Sequence, residues 1–233
     1  MFKIKVKINI KKDAWNFWHA CNKISHGVDW RTRIDESISK NIISKNKKDA
    51  YIFLVPYLNN YYKENNKILN SVLDKTQDIF DEKTKVIFYR MEELTKRKLY
   101  RKNFTCFLTT FPRCAYDYKS AYVWFYINLS AERCIDVFLH ELLHFQFIRY
   151  FKDRVSLNDE QFEFLKEAMT IILNYEFRDL MYAEDKGYEI HRELRNELLS
   201  YWTKLRDFDK LVDYGIKILP SYYLESDLES IIK

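Results

Sequence analysis

Only three glycines (Gly27, Gly187, Gly215) and three prolines (Pro56, Pro112, Pro220) interrupt 233 residues. Glycine and proline are the strongest local breakers of regular structure, so a chain this poor in both is built for long helices. The same scarcity excludes function classes. Phosphate-cradling loops and the dinucleotide fingerprint need closely spaced glycines, and these three stand 160 and 28 residues apart. Many-turned β-sandwiches are excluded on the same ground.

With 47% apolar letters and a 17% aromatic share, the chain has enough to fill a core and is neither a disordered tail nor a low-complexity scaffold. Lys plus Arg at 39 against Asp plus Glu at 34 leaves a net +5. That is a mild excess, not the concentrated basic face of a nucleic-acid binder. Lys3, Lys5 and Lys7 alternate with Phe2, Ile4, Val6 and Ile8, which predicts one strand with a solvated face. Cys21, Cys106, Cys114 and Cys134 form no C-x-x-C pair, so reduced thiols are expected. No stretch approaches the 18 or so apolar residues of a membrane span, and no uninterrupted apolar leader is present. A cytoplasmic protein with no membrane and no nucleic-acid partner is expected.

The chain reads as one α+β domain over 1–233, with sheet and scaffold helices in 1–130 and helices in 131–233. A strand over 2–10 leads into a helix over 13–22. The polar run 31–48 reads as a loop or mobile insert. Apolar residues at three and four spacing predict helices over 51–80 and 84–100. Segments 104–111 and 121–129 are expected to pair as a hairpin. Ser130 then caps a helix running to about Phe151, and Asn158 with Gln161 forms a capping box for the next, to about Asn174. Helices over 188–205 and 208–219 follow, closed by Pro220.

The first helix after Ser130 carries His140-Glu141-Leu142-Leu143-His144. Residues four apart lie one turn apart on one helix face, so both imidazoles can share a metal ion while Glu141 lies beside them to act on a water. A chain of this composition contains the pattern by chance about 0.008 times. The flanks Val137, Phe138, Leu139 and Phe145 place it on a buried helix.

Val137-Phe-Leu-His-Glu-Leu-Leu-His-Phe145 resembles the active-site helix of the zincin metallopeptidases, except that Gln146 stands where their extended signature is apolar. The metzincin branch has a further Gly and His just downstream, and here the next histidine is His191. Gluzincins take a glutamate from the next helix. Glu167, 23 residues after His144 and followed by an apolar run, matches that position, with Glu163 one turn earlier as its rival. Where the thermolysin-like pattern has an orienting Asp, this chain has Ile171, so Thr170 and Asn174 are the candidates to support the ligands. The resemblance spans 137–174 and matches a small or divergent gluzincin.

It implies a zincin-like α+β fold, with a small mixed sheet whose edge strand lies beside the metal helix. It implies zinc held by His140, His144 and Glu167, with Glu141 as general base, and hydrolysis of a peptide or protein substrate. The rivals are a regulatory metal-binding module without turnover and a zinc hydrolase that does not act on peptides. His191, Tyr182, Tyr188, Tyr222 and Tyr223 are unranked candidates for stabilising the oxyanion. Peptide is expected to add as a strand to the free edge of 121–129, a segment apolar on both faces.

Overall fold

The computed structural model describes residues 2–22 and 28–223; Gly27 and the last ten residues of the expected 1–233 domain lie outside them. The protein is α+β, with a four-stranded mixed sheet in its N-terminal part and helices beyond it. Its contacts divide it into two compact units, residues 1–82 with 103–134, and residues 83–102 with 135–233.

The first unit opens on β1 (Lys3–Ile8), where Ile4 and Val6 are buried and Lys3, Lys5 and Lys7 exposed, as the alternation predicts. Asn9 then caps α1 (Ile10–Cys21), its side chain accepting the Lys12 N–H. The expected loop over 31–48 is instead packed and partly helical. A 3₁₀ turn at Trp30–Arg33 and the short α2 (Glu36–Ser39) bring Ile38 and Ile42 into the apolar core with Phe17, Leu54 and Leu58. The segment is tied to α1 by the Trp18 indole donating to the Lys45 carbonyl and by Asn22 bonded to Ile42 and Ser44. Its polar composition hid four isoleucines, of which Ile38 and Ile42 are buried and Ile34 and Ile43 pack against the same core.

The next pair of helices breaks elsewhere than expected. They are α3 (Lys47–Glu64) and α4 (Asn66–Thr95). Asn65 ends α3 by donating from its side chain and backbone to the Tyr61 carbonyl, the local competition that makes Asn a helix terminator. The charged run at 81–83 is only a solvated stretch inside α4.

The sheet also departs from the hairpin expected. After β2 (Asn103–Thr109) come the two-residue β3 (Tyr116–Asp117) and β4 (Tyr122–Tyr126), in the order β1-β2-β4-β3. β2 and β4 run parallel, Thr105 beside Tyr122, and the antiparallel hairpin is β3–β4. Twelve residues between β2 and β4 allow the chain to loop back, and their one short strand takes the far side of β4. β4 is therefore not the free edge expected as a substrate rail. Tyr122 and Val123 are paired on both sides, and the Trp124 N–H donates to the Ala115 carbonyl. A strand apolar on both faces is as typical of a sheet interior as of a covered edge. The edge strand β1 is guarded by Gln77, which accepts the Val6 N–H and donates to the Ile4 carbonyl, the side-chain cover that keeps an edge from pairing with other chains.

At the carboxyl end of β2 this unit buries Asp13 completely. Its carboxylate accepts from the Thr109 and Thr110 hydroxyls, the Thr110 N–H and the Tyr62 phenol. Burial raises the Asp13 pKa despite these donors. Asp13→Ala strands donors from the end of β2 and from α3, so chemical denaturation should show a loss of about 3 kcal/mol. A loss below about 1 kcal/mol would mean that water replaces the carboxylate.

The second unit is helical: the rest of α4, then α5 (Ala131–Phe151), α6 (Asp159–Met169), a 3₁₀ turn at Thr170–Ile172, α7 (Leu173–Glu176), a 3₁₀ turn at Glu189–His191, α8 (Arg192–Leu205) and α9 (Phe208–Ile218). Both caps foreseen are present: the Ser130 hydroxyl accepts the Arg133 N–H, and Asn158 with Gln161 forms the reciprocal box. Pro220 sits in the final turn, at Leu219–Ser221. No helix among the described residues is long and apolar enough to cross a membrane.

Candidate metal centre

α5 is buried nearly all round: Phe138, Leu139, Leu142, Leu143, Phe145 and Phe147 are shielded from solvent. On such a helix every polar side chain needs a partner, and the polar positions have specific ones. Gln146, the mismatch with the zincin signature, accepts the Tyr100 N–H and donates to the Thr95 hydroxyl and the Lys98 carbonyl. It clasps the end of α4 and takes no part in the site. Asp136, one turn before His140, accepts the backbone N–H groups of Tyr182 and Ala183, which anchors the 177–188 loop.

His140, Glu141 and His144 each offer a ligand atom within 4.8 Å of the others, a group close enough to hold a metal ion. α6 brings in Glu167, 4% exposed. Its Oε2 lies 3.5 Å from His140 Nε2 and its Oε1 3.6 Å from His144 Nε2. Both separations exceed ordinary N–H···O hydrogen bonds. They are close to the roughly 3.4 Å between neighbouring ligand atoms around a tetrahedral ion with bonds of about 2.0–2.1 Å. Glu141 meets His144 at the other end of the ring, Oε2 to Nδ1 at 3.2 Å. The two ring nitrogens point apart, so one ion on His144 cannot take both carboxylates. The set with Glu167 engages Nε2 of both histidines. Glu163, the rival, instead pairs with Lys166, Oε2 to Nζ at 2.7 Å.

Electrostatics fits ligand duty at Glu167 and His144, while His140 would have to give up a proton to an ion. Burial opposes ionisation of Glu167, but His144, Lys166 and His140 outweigh it and hold the pKa well below the usual range, so the carboxylate stays charged. Burial and the neighbouring cations Lys166 and His140, against the pull of Glu167 and Glu141, lower the His144 pKa and favour the neutral, metal-binding imidazole. Burial also works against a charged His140, yet Asp185 overrides it and raises its pKa far above normal. In the cluster, the His140 side chain is the most accessible at 22%, against 1% for His144, so solvent reaches the centre past His140.

Asp185 is the residue that the sequence left unmarked. Its Oδ2 lies 2.7 Å from His140 Nδ1, which fixes the ring and leaves Nε2 for a metal. It comes from a loop, whereas the helix position at which the resemblance implied an aspartate holds Ile171. The foreseen supports act one step further out. Asn174 accepts the Asp185 N–H at 2.7 Å and donates to its carbonyl, and Thr170 donates to the Glu167 carbonyl. Arg195, almost fully buried, bonds the Thr170 hydroxyl, the Glu167 carbonyl and Asp185. Gly187 N–H donates to Asp185 Oδ1. Gly187 has φ +62°, and a Cβ there would come within 2.7 Å of the Arg195 guanidinium, so any side chain would both strain the turn and displace the arginine. The only trace of this in the sequence is the Asp185-Lys186-Gly187 turn. Asp185→Ala should weaken zinc binding by about 10- to 100-fold in a chelator competition, the usual cost of losing such a partner. Unchanged affinity would show that α5 packing alone aims His140.

The foreseen oxyanion candidates differ in their surroundings. His191 is buried against the rings of Phe164 and Tyr188, the Tyr223 phenol donates to Glu160, and the Tyr182 side chain is exposed. Compared with known proteins, the chain matches no family model, no curated protein and no solved structure.

Proposed function

We propose that this chain is a zinc-dependent metallopeptidase of the gluzincin kind, with a divergent zincin-like fold. The observation that carries the reading is the pair of imidazole Nε2 atoms facing the two oxygens of one buried, ionised glutamate at 3.5 and 3.6 Å. Two imidazoles and a carboxylate are a donor set of catalytic zinc, which leaves a position for water. His140, His144 and Glu167 would hold the ion. When bound, zinc supplies Lewis acidity, lowering the pKa of a water to about 7 and polarising a carbonyl.

The chain's own groups do the rest. Asp185 keeps His140 Nδ1 occupied, and Glu141 Oε2 steadies His144 Nδ1. Glu141 is then the carboxylate we assign to take the proton of the attacking water and pass it to the leaving amine. The apolar helix around the cluster limits bulk water to the side of His140, which strengthens each charge interaction inside.

A module that binds metal without turnover would need only a side chain of this shape against His144, for which an amide would serve, so the ionisable carboxylate of Glu141 supports catalysis. The test is a peptide-library cleavage screen on zinc-loaded and chelator-stripped protein. Zinc-dependent cleavage supports the reading. Stoichiometric zinc with no cleavage of any library would leave the regulatory module in its place, and cleavage of ester or amide probes alone the non-peptidase hydrolase.

A further inference from the structure

Glu163, Lys166 and Glu167 share one face of the last turns of α6. The Lys166 side chain is 0% exposed, although a lysine stem is long enough to carry its charge to solvent. Here the ammonium is turned inward between two carboxylates: 2.7 Å from Glu163 Oε2 and 3.3 Å from Glu167 Oε1. Glu167 Oε1 is the same oxygen that faces His144 Nε2. The Glu163 side chain is 43% exposed, so it can hold the ammonium from the solvent side.

We propose that Lys166 is a built-in counter-cation that competes with zinc for Glu167, with Glu163 as the partner that receives it when the metal binds. The inference rests on Glu167 being a zinc ligand. A buried carboxylate without a cation is costly, so in the metal-free chain Lys166 keeps Glu167 ionised and in place. A dication at the two histidines repels the ammonium a few ångströms away, so Glu167 cannot serve both fully. The shorter contact already belongs to Glu163, which makes the exchange a small displacement. The outcome is a site that is pre-shaped without metal, binds zinc more weakly than its ligands alone would allow, and has its affinity set by a residue that touches no metal.

The two neighbours of Glu167 therefore act with opposite signs. Full-length protein stripped of metal is titrated with zinc against a chromophoric chelator, with circular dichroism to check folding. Lys166→Met should bind zinc about tenfold tighter or more, since a unit charge at this range is worth at least that in a partly buried site. Glu163→Gln should bind several-fold weaker, because the ammonium then leans wholly on Glu167. In the double variant the Glu163 effect should vanish. Should Lys166→Met fail to fold, Lys166→Gln removes the same charge and carries the same expectation. Equal or weaker zinc binding in the neutral variants overturns the inference, and so does a Glu163→Gln defect that persists without the lysine. If neither wild type nor Lys166→Met takes zinc, the metal reading falls and this inference with it. If wild type binds zinc and Lys166→Met binds it equally, this inference alone falls.

Discussion

Glu141→Gln should keep its zinc and its fold and lose turnover by roughly 100- to 10,000-fold, the share that a positioned general base contributes. The structure makes this variant unusually discriminating, because Glu141 is placed for two tasks. Its Oε2 stands 3.2 Å from His144 Nδ1, and a glutamine of the same shape keeps that contact. The amide cannot take a proton. Glu141→Ala removes both functions, so it should lose turnover and weaken zinc binding as well. Chelator competition and peptide cleavage measured on both variants separate the tasks. Near-wild-type cleavage by Glu141→Gln would reduce Glu141 to a prop for His144 and require another base.

The parts of this protein that local sequence rules govern could be read directly. β1 follows from alternation, the start of α5 from Ser130, and the start of α6 from Asn158 with Gln161. The helical pair His140 and His144 is likewise a one-turn fact. What tertiary pairing decides could not be read. Apolar periodicity runs unbroken past Asn65 and masks the one local mark of the end of α3, the Asn65 side chain bonded back to Tyr61. The parallel pairing of β2 with β4 depends on which neighbour each strand finds, and both orders suit the same letters. The packed state of 31–48 depends on Ile38 and Ile42 meeting a core supplied by other segments.

The same division runs through the candidate site. Glu167 was reached by resemblance and by the cost of burying a carboxylate, and it lies against both histidines. Asp185 belongs to a loop with no periodic pattern. It reaches His140 only because Asp136, Asn174 and Arg195 fix that loop from three separate helices. Lys166 carries no mark of its own in the sequence. Its inward turn is legible only with Glu163 and Glu167 both in view.

Removing any one of His140, His144 or Glu167 should cost zinc binding about 300-fold or more. Structural zinc sites bind with roughly 10–16 kcal/mol, so each of three or four ligands carries on the order of 3–4 kcal/mol. Glu163→Gln, if it acts only through Lys166, should fall far short of that loss. The variants also differ in what they leave behind. His140→Ala leaves Asp185 to Arg195, Asn174 and Gly187, which still bind it, so the metal-free fold should survive. Glu167→Ala leaves the fully buried Lys166 with Glu163 alone and should destabilise the metal-free chain too. Thermal melting with and without zinc reads both effects. At a zinc concentration of 100 times Kd the wild type should gain about 2.7 kcal/mol, and at the same concentration each ligand variant should gain almost nothing. Full-occupancy zinc in the double variant His140→Ala, His144→Ala would place the metal elsewhere and dismantle the site assignment.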